Sequence, residues 1–596
     1  MALGSSGNFR HTKGRNVWRR IHIKPPTEES KQRQEVAIES SQVYLSDDSP
    51  NLVESTRDID QISTEHNLNA LRPTSSVNFD MANGLPIDEE KPLRTPTTPF
   101  PNWSKFINPK MQNFEMDGYI LHMRKLIRSL GIYSLASLAS PLASLVLAPF
   151  LTRHLSHADY GALAVLTTAL ALLTGITQLG LSFAFSRSYN YDYESQRDRF
   201  GVLSTTIDLL SLTSIFTAIV TLIAAPWLSM LLFNNSSFII PVSLLGVVVL
   251  LQNLTVPGFA WLRAESRAAL FSALSIANLI VCIAANFILV GVLHMGISGS
   301  LIATGSGYAV VAICTLPIML LRTGFRLRAD IVRGLLSFGL PSIFTFLSMW
   351  VLQLSDRFLL ARLGSLAQTA SYAVAYSLGG VLTTVVLSPF NLAWPSTMFS
   401  IAKRDDAANI FRLVFRWYGI ILLFAAFGLS IASTIVLELF FPPSYQSAAP
   451  IIPIIATSVI FYGLYILFTT GISIRRKTWY AVVFTTIAAL ANVGLNFILI
   501  PLYGSMGAAV STLIAYILLA LISYAVNQRI YPVPYEMGIF AIGLLIGSAL
   551  FTGISFLARN EGRLEVWALY MGALVLFSGS LTFLVKLPTR GQKNKS

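Results

Sequence analysis

The 596-residue chain is 53% hydrophobic and only 12% charged, with a formal net charge of +13, where an ordinary soluble domain is about 25% charged. Such a composition excludes a soluble globular protein, and the way the basic residues are placed excludes nucleic acid as their partner. Its two cysteines, Cys282 and Cys314, each lie in an apolar stretch and read as small core residues, with no disulfide or metal arrangement around them.

Residues 1–118 stand apart. They are rich in Ser, Thr, Asn, Pro, Asp and Glu without sustained periodicity, so a disordered cytoplasmic tail is expected. No apolar run there has the length of a signal peptide. The basic stretch from Arg10 to Lys24, with Trp18, suits anionic headgroups as well as it suits a solvated arm.

Between Arg128 and Lys586 the uncharged runs come in units of one membrane crossing, about 20 residues for a core of about 30 Å. Runs 209–262, 268–321 and 478–528 each hold two crossings and the other eight hold one. The spacing predicts fourteen helices, over 127–151, 161–183, 203–231, 238–260, 269–293, 297–321, 335–354, 368–394, 412–440, 450–472, 479–501, 505–527, 538–557 and 564–586. The fold class is an all-α polytopic membrane protein. With a cytoplasmic N-terminus the inner loops carry seventeen Lys and Arg, and the outer loops five: Arg153, Arg357, Arg362, Arg559 and Arg563. This bias places both termini, including the tail 587–596, in the cytoplasm of a plasma-membrane protein. The largest inner loops, near 184–202 and 395–411, are too short to hide a catalytic domain.

The chain also repeats itself. Asn286-Phe287-Ile288-Leu289 ends the fifth span and Asn496-Phe497-Ile498-Leu499 ends the eleventh. After each comes a glycine pair and a threonine: Gly296, Gly299 and Thr304 against Gly504, Gly507 and Thr512, all 208 residues apart. Arg153 with Tyr160 is echoed by Arg362 with Tyr372. Two six-helix halves, 127–321 and 335–527, with a helical hairpin at 538–586, imply a duplicated transporter whose site lies between the halves.

The run from Pro149 to Arg153 through Tyr160-Gly161, then Leu179-Gly180-Leu181, Ala184 and Arg187, resembles the start of the polysaccharide transporter family. Ser355-Asp356-Arg357 leading to Gly364, the stretch Tyr372 to Tyr376, Tyr445 with Ala448-Ala449-Pro450, and Asn496 to Ala509 extend the resemblance over about residues 125–530. This is the oligosaccharide flippase branch of the multidrug/oligosaccharidyl-lipid/polysaccharide export superfamily. The resemblance implies a V-shaped pair of six-helix bundles around an alternating-access cavity, with two added C-terminal helices. It offers no counterpart for residues 1–118.

Catalytic motifs are missing. There is no phosphate-binding G-x-x-x-x-G-K-[ST] loop, no H-E-x-x-H and no C-x-x-C, so neither enzyme activity, a metal nor a cofactor is expected. Function then rests on the few ionisable groups at membrane depth, which are costly and usually face a cavity or a partner. Arg153, Asp356, Arg357 and Arg362, read as outer span ends, are candidates for a gate or substrate contact, and Arg187 for a phosphate. Asp208 is the candidate ion-coupling site. Asn286 and Asn496 are expected to satisfy backbone groups where their helices end.

The expected function is to flip a lipid-linked oligosaccharide, carried on polyprenyl pyrophosphate, for cell-surface polysaccharide synthesis. Its partners are that substrate, the bilayer and biosynthetic enzymes, and the protein acts as a monomer. A cation-coupled exporter of amphipathic drugs shares the architecture, and a scaffold acting through the long tail is a third class.

Overall fold

A computed structural model describes residues 139–557 and 563–586, Glu194 excepted. The N-terminal tail and the residues after Lys586 lie outside the described part, as does the expected first span before Ala139. The described residues form helices joined by short connections, without a strand. In chain order the helices are α1 Ala139–His154, α2 His157–Thr177, α3 Leu181–Arg187, α4 Gln196–Phe233, α5 Ile239–Ala264, α6 Ala268–Asn286, α7 Gly296–Thr323 and α8 Ala329–Leu363. There follow α9 Leu366–Gly379, α10 Ser388–Ile401, α11 Ala407–Phe440, α12 Ile452–Phe468, α13 Thr470–Ile474, α14 Trp479–Ile530, α15 Met537–Leu557 and α16 Arg563–Lys586. Twelve helical stretches are long and apolar enough to cross a membrane. One of these, α14, is two helices joined at Gly504, where the backbone leaves helical geometry (φ 57°, ψ −132°).

Packing divides the helices into two groups. α4, α5, α6 and α7 pack on one another, as do α8, α11, α12 and α14 through their shared faces. The groups meet along α2, which runs against both α8 and α9. That contact is close: a Cβ on Gly161 would lie 1.9 Å from the Leu366 carbonyl oxygen, so only glycine lets the two backbones touch there. Trp350 Nε1 donates to the Thr168 carbonyl, 3.3 Å away, further along the same seam. The hairpin α15–α16 packs on α11. Phe183, Phe216, Trp227, Leu321, Phe344 and Trp417 stand exposed on the outer surface, as side chains do when lipid rather than water is the solvent.

Three expected boundaries are corrected. The two long inner loops are largely helix: α3, a π-helical turn Ser188–Asp192 and the start of α4 fill 184–202, and α10 reaches Ile401. The seventh span does not stop at residue 354, because α8 continues to Leu363. Asp356 and Arg357 therefore sit inside the helix, about 10 Å before its end at 1.5 Å per residue, and Arg357 is not an outer-loop charge.

Candidate functional site

The repeated motif shapes the backbone in the same way twice. Gly296 and Gly504 both take a left-handed φ, 61° and 57°. Gly299 then seats against the carbonyl of Leu289, and Gly507 against that of Leu499, where a Cβ would lie 3.2 and 2.1 Å from the oxygen. The first copy has two more residues between leucine and glycine, and a π-helical turn, Phe287–Val292, occupies this stretch.

A cavity of about 630 Å³ lies between α1, α2, α5, α6 and α7 on one side and α8 and α9 on the other. Ligand sites typically run from about 300 to 1,000 Å³. Its polar lining includes Thr167, Gln252, Asn278, Asn286, Thr304 and Tyr308, and among the described residues Arg357 is the one charged group in it. A second cavity, of about 270 Å³, shares Ser144 and Ser377 with the first and is lined by Gln353, Tyr376, Tyr462 and Tyr516. Arg357 is held between them: its guanidinium lies 4.5 Å from the centre of the Tyr376 ring, and Nη1 reaches the Gln353 carbonyl only at 3.5 Å. A cation over an aromatic face keeps most of its hydrogen-bond donors for another partner.

The neighbouring Asp356 is turned away from the cavity and completely buried. Its Oδ2 accepts from the Tyr372 hydroxyl and lies 3.2 Å from Thr512 Oγ1. Thr512 Oγ1 in turn lies 3.0 Å from the Ala508 carbonyl, so its single proton can serve either oxygen. Asn492 Nδ2 donates to Thr512 Oγ1 at 3.4 Å, and Asn496 Nδ2 to Asn492 Oδ1 at 3.1 Å. Asp356 Oδ1 and Asn496 Oδ1 have no hydrogen-bond partner. A sealed carboxylate with one oxygen free among amide and hydroxyl groups can take up a proton or a small cation.

The other expected site residues do not line the large cavity. Arg153 is exposed and caps α11, Nε donating to the Phe440 carbonyl at 3.2 Å. Arg187 pairs with Asp192 at 3.5 Å and lies 4.7 Å from the Phe338 ring centre. Arg362 is exposed in the last turn of α8. Asp208 belongs to a clasp: its Oδ2 accepts the Arg326 backbone N–H at 2.9 Å, and Ser204 Oγ donates to the Gly324 carbonyl at 2.7 Å. Together they tie α4 to the linker before α8. Asn286 bonds a backbone group as expected, the Cys282 carbonyl at 2.9 Å, yet it also lines the cavity; Asn496 bonds a side chain instead. Asn492 and Tyr516 are absent from the sequence expectations, and Tyr376 enters them only as the end of a matched stretch. Asn492 stands one helical turn before Asn496, and Tyr308 and Tyr516 repeat the 208-residue offset, so both signals were present.

No curated protein matches the chain by sequence. The solved structure of a lipid II flippase, MurJ, in an inward closed conformation superposes with TM-score 0.55 at 17% identity, covering 74% of this chain and 98% of that one. An inward-facing multidrug resistance MATE family transporter of the MOP superfamily superposes with TM-score 0.50 at 14% identity, covering 66% and 94%. These establish a shared fold. A family model described as polysaccharide biosynthesis protein matches residues 150–450, from the end of α1 through α11 and just over half of the chain, and this match identifies the chain as a member of the polysaccharide biosynthesis protein family.

Proposed function

We propose that this protein carries a lipid-linked oligosaccharide, borne on polyprenyl pyrophosphate, across the plasma membrane by alternating access of two duplicated bundles, 127–321 and 335–527. The observation that carries this reading is the polar part of the cavity's lining, set among leucines and alanines: among the described residues it offers hydroxyls and amides with one guanidinium and no carboxylate. A glycan cannot cross the apolar core with its polar groups unpaired, since each costs several kcal/mol; Gln252, Asn278, Asn286 and Thr304 offer it partners. Pyrophosphate suits Arg357, whose planar fork makes paired, charge-assisted hydrogen bonds. Asp356 replaces Asp208 as the coupling candidate, because a charge bound or lost there acts on the residue that holds the phosphate. A drug exporter taking cations would want an acid in the cavity, and among the described residues none lines it.

The test is transport in proteoliposomes. Purified protein should expose a labelled polyprenyl-pyrophosphate oligosaccharide to an external glycan-cleaving enzyme. Movement of cationic dyes without movement of that lipid would overturn the reading in favour of drug export. Thiol labelling of cysteines placed at Asn234 and Arg404 reads the orientation, with the first reactive from outside and the second protected.

A further inference from the structure

The cavity of about 270 Å³ that adjoins the large one is walled by side chains of the second half, apart from Ser144 and Leu145 of α1. Three tyrosines line it, Tyr376, Tyr462 and Tyr516, with Gln353, Thr383 and Thr384. The Tyr462 and Tyr516 ring centres lie 5.4 Å apart with 35° between their planes, so these rings form one aromatic wall. Among the described residues no charged group lines the chamber. Its place follows from the duplication. Gln353 stands 209 residues after Ser144, and Tyr516 stands 208 after Tyr308; Ser144 and Tyr308 both line the large cavity. The chamber is therefore the second half's copy of part of that cavity, with tyrosine rings where the first half offers amides.

Arg357 joins the two spaces. It lines the large cavity, and its guanidinium lies 4.5 Å from the centre of the Tyr376 ring, which lines the chamber. In a glycan carried on pyrophosphate the first sugar is bonded directly to phosphate, so a phosphate held by Arg357 leaves that sugar at the chamber's mouth. An aromatic face carries partial negative charge, which suits the weakly positive C–H groups on the face of a sugar ring. Hydroxyls at the ring's edge find amide and hydroxyl partners in Gln353, Thr383 and Thr384. The volume falls just short of the roughly 300–1,000 Å³ of a whole ligand site, a size for one ring and not for a chain of them. Given transport of a pyrophosphate-linked glycan, on which this step rests, we infer that the tyrosine-walled chamber is the subsite for the sugar bonded to the pyrophosphate. The sugars further out then lie among the amides of the large cavity.

Equilibrium binding of two labelled lipids to the full chain in detergent tests this. One is polyprenyl pyrophosphate bearing a single glucose, and the other carries a methyl group in the sugar's place, at the same charge. The wild-type protein should bind the glucosylated lipid about five- to tenfold tighter. Tyr462→Leu, which keeps apolar bulk and removes the ring, should bring that ratio close to one and leave the affinity for the methyl lipid unchanged. Tyr462→Phe, which keeps the ring, should keep most of the ratio. Both affinities are measured on one preparation, so any loss of folded protein cancels. Tyr376 is left in place because Arg357 stacks on it. Equal binding of the two lipids by the wild type, or a Tyr462→Leu protein that retains the full ratio, would overturn the subsite while leaving pyrophosphate recognition standing. A wild-type protein that binds neither lipid would overturn the transport reading itself, and the subsite with it.

Discussion

Asn286, Gly296, Gly299 and Thr304 in the first half answer to Asn496, Gly504, Gly507 and Thr512 in the second, yet the two sets of side chains live in different surroundings. In the first, Asn286 and Thr304 line the large cavity. In the second, Asn496 and Thr512 are completely buried in the network around Asp356. The backbone is alike in both, with a left-handed glycine followed by a glycine against a carbonyl. What differs is the partner. Stepping 209 residues back, as Arg362 steps to Arg153, puts Leu147 and Ala148 where the second half has Asp356 and Arg357. Cys282 likewise takes the place of Asn492, four residues before the matched asparagine. Helix ends must be closed in both halves, so the glycines are held in common. Side-chain chemistry is free to diverge, and one half supplies a polar wall while the other supplies the charge.

The largest effect should come from the residue that makes the halves unlike. Asp356→Ala leaves the buried Tyr372 hydroxyl without its acceptor, at about 1–3 kcal/mol for a group left unsatisfied, while Thr512 keeps the Ala508 carbonyl. Asp356→Asn keeps the shape and removes the charge. Both should abolish transport, by at least about a hundredfold, while Asp356→Asn still unfolds near the wild-type temperature. Leu147→Ala, at the matched place, should lose some packing and keep most of its transport. Proteoliposome flipping and thermal unfolding read the two effects, and an Asp356→Asn protein that transports normally would make the network purely structural.

Within the cavity the comparison is between charge and amide. Arg357→Ala removes a charge-assisted partner worth about 1.5–3 kcal/mol, so affinity for the lipid-linked oligosaccharide should fall roughly ten- to hundredfold. Asn286→Ala removes a neutral one, about 1 kcal/mol, and should cost about fivefold. Arg357→Lys should fall between them, keeping the charge and losing the fork. Equilibrium binding of a labelled substrate measures all three. Equal losses for Arg357→Ala and Asn286→Ala would mean that the cavity does not read phosphate.

How much of this could be read from the residues alone follows from one rule and its exception. Charge spacing located the helices because a charge in lipid is expensive. That same rule ended the seventh span at residue 354, and α8 runs on to Leu363. Asp356 escapes the rule by bonding Tyr372 and approaching Thr512, and Arg357 by stacking on Tyr376. These partners come from α9 and α14, which no local pattern brings together with α8. Arg153, Arg187 and Asp208 show the converse. Each was conspicuous in sequence, and each has a nearby partner: the Phe440 carbonyl, Asp192 and the Arg326 N–H. The repeat was visible because its glycines are backbone requirements, which leave a fixed mark in the sequence.

Those glycines offer the smallest and sharpest comparison. Alanine at either position must adopt a left-handed φ, which costs an L-residue about 1–2 kcal/mol. Around Gly296 there is nothing within 4 Å of a new Cβ, so the backbone term stands alone. At Gly504 a Cβ would lie 2.8 Å from Gln368 Nε2 and 2.9 Å from its Cδ. The amide has to move, and the ψ of −132° lies toward a region that is nearly glycine's alone. Gly296→Ala should therefore lower stability by about 1 kcal/mol and Gly504→Ala by about 2–3 kcal/mol. Thermal unfolding of the two purified variants in the same detergent measures the difference. Because Gln368 is the flexible end of a side chain, Gln368→Ala should bring Gly504→Ala back toward the cost of Gly296→Ala. If it did not, the excess would belong to the backbone itself, and the second turn would be the more strained of the two.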